Sequence, residues 1–277
     1  MELLKRYMRK LIKIIKRDEM KILPGHLAFF LVLSIIPSIT LIGIICNVFG
    51  LSNTDIVDFF KEVIPAGAME VIKPFVEKSG GSIAFIYLII GFILVSNGAN
   101  SIVLTSNTLY QITDASLLKS RIKALFLTIL LMFLFIFILF VLAFGNMIVS
   151  FILSLEIFSH ISNNVYHIFI YFKWPIAFFI IYVILKLIYT LAPDKNIKSS
   201  TVTKGSIFTT VGWLFITALY SYYANNIATY DMFYGNLSNI VILMMWIYII
   251  AYIFVIGIAI NVNNYNYLEE NVINNDK

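Results

Sequence analysis

An all-α, polytopic membrane bundle with six transmembrane helices is the fold class this sequence predicts, on three observations. The composition is 60% hydrophobic and only 13% charged, against about 45–50% and about 25% in ordinary soluble domains. Six apolar runs are each long enough to cross a hydrocarbon core, which needs about 20 helical residues. Finally, the segments between those runs alternate between rich and poor in Lys and Arg. The mean hydropathy of +0.91 agrees.

In chain order, residues 1–22 predict a cytoplasmic amphipathic basic helix. Leu3, Leu4, Tyr7, Leu11, Ile14 and Ile15 recur at helical spacing, while Lys and Arg fill much of the remaining surface. A six-helix membrane domain follows over 23–263, with spans at about 24–49, 82–105, 123–152, 168–191, 205–225 and 237–261. An acidic extracytoplasmic loop at 50–81 reads as two short helices parted by Pro65, either lying on the surface or covering an opening. Residues 264–277 are expected to form a cytoplasmic tail. Lys173 and Lys186 lie near the ends of the fourth span, where their stems can reach the headgroups.

Orientation follows from the basic residues. Fifteen lie on the side that holds both termini, three on the other and two within the fourth span. The positive-inside rule therefore places both termini in the cytoplasm of a multi-pass protein of the bacterial inner membrane. The net charge of +5 points to anionic headgroups at the N-terminal helix and not to nucleic acid, because a basic helix beside a bilayer already has anionic lipid to bind. Cys46 is the only cysteine, so the chain can build neither an internal disulfide nor a thiolate cluster. The first apolar run is too long for a cleavable signal peptide. Nothing in the sequence sets the oligomeric state.

Inside the spans, specificity must come from polar side chains and small-residue contacts. Ala84, Gly91, Gly98 and Thr105 recur every seventh residue along the second span and mark a packing seam. The same helix carries Asn97, Asn100 and Asn107 towards one side. These carboxamides either join helices or line a polar cavity, since unpaired amides in hydrocarbon are costly. Ser96-Asn97-Gly98-Ala99-Asn100-Ser101-Ile102 echoes Ser221-Tyr222-Tyr223-Ala224-Asn225-Asn226-Ile227 at four of seven places. That echo suits a 3+3 inverted repeat, a common transporter plan. Pro37 and Pro175 are candidate helix kinks. No metal-binding, phosphate-binding or nucleophile motif is present, and His26, His160 and His167 have no ligand spacing. No cofactor and no catalytic or metal-binding residue is expected, and an enzyme is disfavoured.

Over roughly residues 20–264, and most recognisably in its last third, the chain resembles the YihY/BrkB family of bacterial inner-membrane proteins, formerly called ribonuclease BN. The resemblance is carried by Leu191-Ala192-Pro193-Asp194, Gly205, Trp213, Tyr220 to Tyr223, Tyr230 and Tyr234-Gly235. Leu237-Ser238, Met245-Trp246-Ile247-Tyr248, Gly257 and Asn261 continue it, and Ala28-Phe29-Phe30 with Ser34-Ile35-Ile36-Pro37 adds to it in the first span. Two departures stand out: Ile260 replaces a glutamate that commonly precedes the final asparagine, and Ser96 to Asn100 lacks a family arginine.

The resemblance implies six helices and a role in envelope integrity or in moving lipid-linked or amphipathic compounds. On this reading a transporter would use Asn97, Asn100, Asn107, Trp213, Tyr220, Tyr223, Asn225 and Asn261 as polar cavity residues, with Gly91, Gly98, Gly205, Gly257 and Ala84 serving helix packing. The alternatives are a non-transporting scaffold and a membrane-associated ribonuclease.

Overall fold

The computed structural model describes residues 2–48, 84–114, 116–134, 162–226 and 238–275. The expected loop at 50–81 and the part of the third span beyond residue 134 lie outside these. All regular structure in the described residues is helical: α1 (Glu2–Ile15), α2 (Glu19–Val48), α3 (Ala84–Leu109), α4 (117–134), α5 (Ser162–Leu191), α6 (Thr203–Asn226) and α7 (Ser238–Asn275). Ile89–Leu109 and Leu243–Leu268 are long and apolar enough to cross a membrane, and Ala177–Leu191 is a shorter apolar helix. α7 is the hub, touching α1, α2, α3 and α6, while α2 packs on α3 and α5 on α6.

The bundle has a buried apolar core that includes Leu27, Leu127, Leu185 and Ile258, yet many large apolar groups also point outward: Phe29, Ile89, Ile93, Phe126, Phe133, Phe179, Phe215 and Met244 are all exposed. Ser96, Ser101, Thr105, Ser106, Asn107, Thr209, Thr210 and Asn261 are instead buried. In water such an apolar surface would drive aggregation; in a bilayer it is the solvated face, and interior polar groups serve as helix contacts.

Small residues allow the helices to approach. A methyl group at Gly91 would sit 3.3 Å from Leu41, and one at Gly98 would sit 2.7 Å from Ser34 Oγ, so α2 and α3 close on a seven-residue repeat. α6 and α7 come closer still. A side chain at Gly205 would strike the Gly257 carbonyl and the Asn261 amide, and one at Gly257 would strike Thr209 and Tyr189.

Two boundaries differ from expectation. The basic N-terminal helix ends at Ile15, and a turn over 16–18 leads into α2, whose N-cap position is Asp18, a favoured residue there. The expected tail from 264 is a continuation of α7 to Asn275. It is held because Asn263 Nδ2 donates to Tyr7 O at 3.3 Å and Asn264 Nδ2 donates to Thr201 O at 2.7 Å. α2 runs as helix through Pro24 and Pro37, and α5 through Pro175.

α3 ends in a Schellman motif. Ile112 N bonds Asn107 O at 2.9 Å, Gln111 N bonds Thr108 O at 3.1 Å, and Gln111 has φ of 55°. A non-glycine residue pays for this left-handed conformation. Gln111→Gly should therefore raise stability by about 1 kcal/mol, read from thermal unfolding in detergent. Gly257→Ala should lower it by about 1–3 kcal/mol through overpacking. Gly25→Ala, where an added methyl meets nothing within 4 Å, should be neutral or slightly stabilising.

Candidate functional site

The polar side chains concentrate where α1, the α3–α4 turn, the α5–α6 turn and the end of α7 meet. This is the basic end of the bundle, and three sets of contacts organise it.

The first is built on Asp194, three residues past the end of α5. A carboxylate at a helix C-terminus is opposed by the helix dipole, so it needs donors from elsewhere. Asn107 Nδ2 donates to Asp194 Oδ2 at 2.7 Å, and Asp194 N donates back to Asn107 Oδ1 at 2.7 Å. Ser120 Oγ also donates to Oδ2, and Lys123 Nζ lies 2.8 Å from Oδ1 while donating to Pro193 O at 2.6 Å. Burial pushes the carboxyl upward, but the bonds from Lys123, Ser120 and Asn107 and the lysine charge outweigh it, holding the carboxyl below its ordinary 3.8. One acid thus ties α3, α4 and the end of α5 together.

The second set joins α5, α6 and α7. Val202 occupies the N-cap position of α6 and has no side-chain acceptor for the orphan amides of the first turn. Asn261 supplies one from α7: its Oδ1 accepts from Gly205 N at 2.9 Å. Deeper in, Tyr189 Oη lies 2.7 Å from Thr209 Oγ1 and donates to Phe254 O at 3.0 Å. Trp213 Nε1 donates to Ile250 O at 3.0 Å, and Tyr220 lies against Trp246 with ring centroids 5.5 Å apart.

The third set docks α1. The Tyr7 and Tyr267 rings meet edge to face at 6.2 Å, and Lys204 Nζ sits 5.0 Å from the Tyr7 ring centroid.

These contacts locate most of the residues singled out from sequence. Asn107, Trp213 and Asn261 each bond across helices. Asn97 Oδ1 accepts from Arg121 Nη1 at 3.0 Å, so the basic group missing from α3 arrives from α4. Asn100 is half-buried, Pro37 is half-buried and Pro175 is exposed. Gly91, Gly98, Gly205 and Gly257 all lie at close helix contacts. The side chains of Ala84, Tyr223 and Asn225 lie outside the described ones. Sequence reasoning passed over Tyr189, Thr209, Lys123 and Asp194 as site residues. Asp194 carried a usable signal: an acid just after a helix C-terminus requires cationic or hydrogen-bonding partners.

A group of hydroxyls on α3 behaves differently from the rest. Ser34, Ser96, Thr128, Thr190, Ser206 and Thr210 each donate to a carbonyl three or four residues back in their own helix. Ser101, Thr105 and Ser106 are fully buried yet make no such bond, and no described residue partners them. Tyr110 Oη, Tyr220 Oη, Trp246 Nε1 and Asn261 Nδ2 are likewise buried without a partner among the described residues. No group of three His, Cys, Asp or Glu among the described residues is placed to hold a metal.

Asp194→Asn should lower stability by about 2 kcal/mol near neutral pH, the scale of a lost charge-assisted bond. The folded-state carboxyl titrates below its unfolded value. The network therefore contributes fully above about pH 4 and fades as pH falls through the folded-state value. Unfolding midpoints of the two proteins should converge in acid and stay apart at pH 7.

Comparison with known proteins matches these features to a family. The family model described as virulence factor BrkB matches residues 11–277. The ribonuclease-like protein YfkH of Bacillus subtilis is 26% identical over 247 residues, covering 86% of this chain and 87% of that protein. A UPF0761 membrane protein of Prosthecochloris aestuarii is 34% identical over 64 residues, 23% of this chain and 15% of that protein. No solved structure matches. With its transmembrane helices and the matched region running from α1 to the last residue, the chain belongs to the BrkB (YihY/BrkB) family of bacterial membrane proteins.

Proposed function

We propose that this protein moves lipid-linked or amphipathic compounds across the bacterial cytoplasmic membrane. It does so as a six-span bundle with both ends in the cytoplasm, whose halves follow a 3+3 inverted repeat. The observation that carries this reading is the set of buried polar atoms, along α3 and between α6 and α7, that have no partner among the described residues. A bundle whose only task is to stay folded gains nothing from them, because each costs about 1–3 kcal/mol when left unmade. A polar compound crossing the bundle has use for them. Asn100, Tyr220, Tyr223 and Asn225 belong to the same route, while Asn97, Asn107, Trp213 and Asn261 both border it and bind helices together. The basic face of α1 meets anionic headgroups.

A scaffold is the second reading, favoured by Asn107 with Asp194 and Asn261 with Gly205, which join helices across the interior. A nuclease role comes only through names, the family's former one and that of YfkH. Hydrolysis of RNA needs a positioned nucleophile or metal, and no group of three His, Cys, Asp or Glu among the described residues is placed to hold a metal.

Proteoliposomes separate these readings. Transport predicts that the protein accelerates transbilayer movement of fluorescent phospholipid or efflux of an amphipathic dye, and that Asn100→Leu and Tyr220→Leu reduce the rate several-fold with the fold intact. Folded protein that moves none of a broad substrate panel leaves the scaffold. Cleavage of structured RNA by purified protein with added divalent metal, abolished by no contaminant control, would establish the nuclease instead.

A further inference from the structure

Between α2 and α7 lies a groove of about 350 Å3, lined by Gly25, Ala28, Phe29, Val32 and Leu33 of α2 and by Met244 and Tyr248 of α7. An added methyl at Gly25 would meet nothing within 4 Å, so the space begins at the α2 backbone itself. Phe29, Leu33, Met244 and Tyr248 are exposed around it, and no charged residue lines it. Its α7 wall belongs to Leu243–Leu268, the segment long and apolar enough to cross a membrane. This side of the bundle therefore faces lipid.

Length and charge together name the occupant. α2 enters the bundle from the basic end, and Lys21, Gly25, Phe29 and Leu33 follow one another at four-residue intervals along one side of it. From Lys21 to Leu33 the helix rises about 18 Å, against about 15 Å for half of a hydrocarbon core. The stripe is thus one leaflet deep, the reach of a single acyl chain whose headgroup stops at Lys21.

At that level the surface carries both signs of charge. Lys21 Nζ donates to Asp18 Oδ1 at 2.7 Å, and both side chains are largely exposed. An exposed pair of this kind stabilises little, while the ammonium keeps further donors and the carboxylate further acceptor positions. A headgroup with a phosphate and a primary amine matches both: its phosphate oxygens accept from Lys21, and its ammonium donates to Asp18. A purely anionic headgroup would leave Asp18 facing its phosphate, and a quaternary amine has no N–H to donate. We propose that the α2–α7 groove holds one acyl chain of a phosphatidylethanolamine from the leaflet at the basic end, with the headgroup seated on Lys21 and Asp18. This is a lipid-binding site on the membrane-facing side of the bundle, independent of what crosses the interior.

The test reconstitutes the full chain in phosphatidylcholine vesicles containing phosphatidylethanolamine with a diazirine midway along one acyl chain. After irradiation, cross-linked residues are mapped by mass spectrometry. Cross-links should concentrate on Phe29, Leu33 and Met244, and unlabelled phosphatidylethanolamine should compete several-fold better than phosphatidylcholine or phosphatidylglycerol. Gly25→Leu fills the groove where it is open and replaces a glycine inside a helix, so it should fold at least as stably and lose those cross-links several-fold. Asp18→Asn with Lys21→Gln keeps a good N-cap residue at 18 and a helix former at 21; it should erase the preference among headgroups while the groove stays labelled. Labelling spread evenly over the exposed Phe126, Phe179 and Phe215, or unchanged by Gly25→Leu in folded protein, overturns the site. Phosphatidylglycerol competing as well as phosphatidylethanolamine, or a preference that survives the double variant, overturns the headgroup assignment. An unlabelled groove in a dimeric protein that becomes monomeric in Gly25→Leu would place a second copy of the chain there instead.

Discussion

Backbone groups freed at a helix end have no water to turn to inside a membrane protein, and much of this architecture answers that constraint. The clearest case is the start of α6. Its N-cap position holds Val202, so the first-turn amide of Gly205 takes its acceptor from Asn261, on another helix. That bond requires α6 and α7 to lie nearly in contact, which is why glycines occupy positions 205 and 257. Once the two helices are that close, Tyr189 can bridge to Thr209 and the Phe254 carbonyl, bringing α5 into the same unit.

The same logic extends to the basic end as a whole. Asn263 and Asn264 hold the backbone of α1 and of the α5–α6 turn, and Asn107 holds Asp194. Carboxamides suit this work because each offers a donor and an acceptor without a charge that must be desolvated. The half-buried acid Asp194 is tolerated because a lysine and two neutral donors surround it. It sits in a turn and not within a span, where an unpaired charge would cost more.

Much of this was legible in the sequence, and the remainder was hidden for physical reasons. Apolar runs announced the helices, and the seven-residue spacing of Gly91 and Gly98 announced a contact that proved to be with α2. The sequence also marked Asn107 and Asn261 as interior polar residues. It could not say which neighbours they meet, because partners 56 and 87 residues away depend on tertiary packing. The asparagine-rich segment after 261 read as a tail, since composition alone does not distinguish a solvated amide from one that holds a turn. Ser106 stood out only as one of several polar residues in the second span, and Tyr110 did not stand out. Serine inside a helix ordinarily bonds its own backbone, and only the fold shows that this one does not.

Asn261 acts as a remote N-cap for α6, and the α6–α7 contact is built around that bond. The most direct measurement is hydrogen–deuterium exchange across the first turn of α6 in Asn261→Leu, alone and combined with Val202→Ser. The single variant should lose protection around Gly205, and a serine at the N-cap position should restore part of it. Unchanged protection in Asn261→Leu would mean that Asn261 does not cap α6.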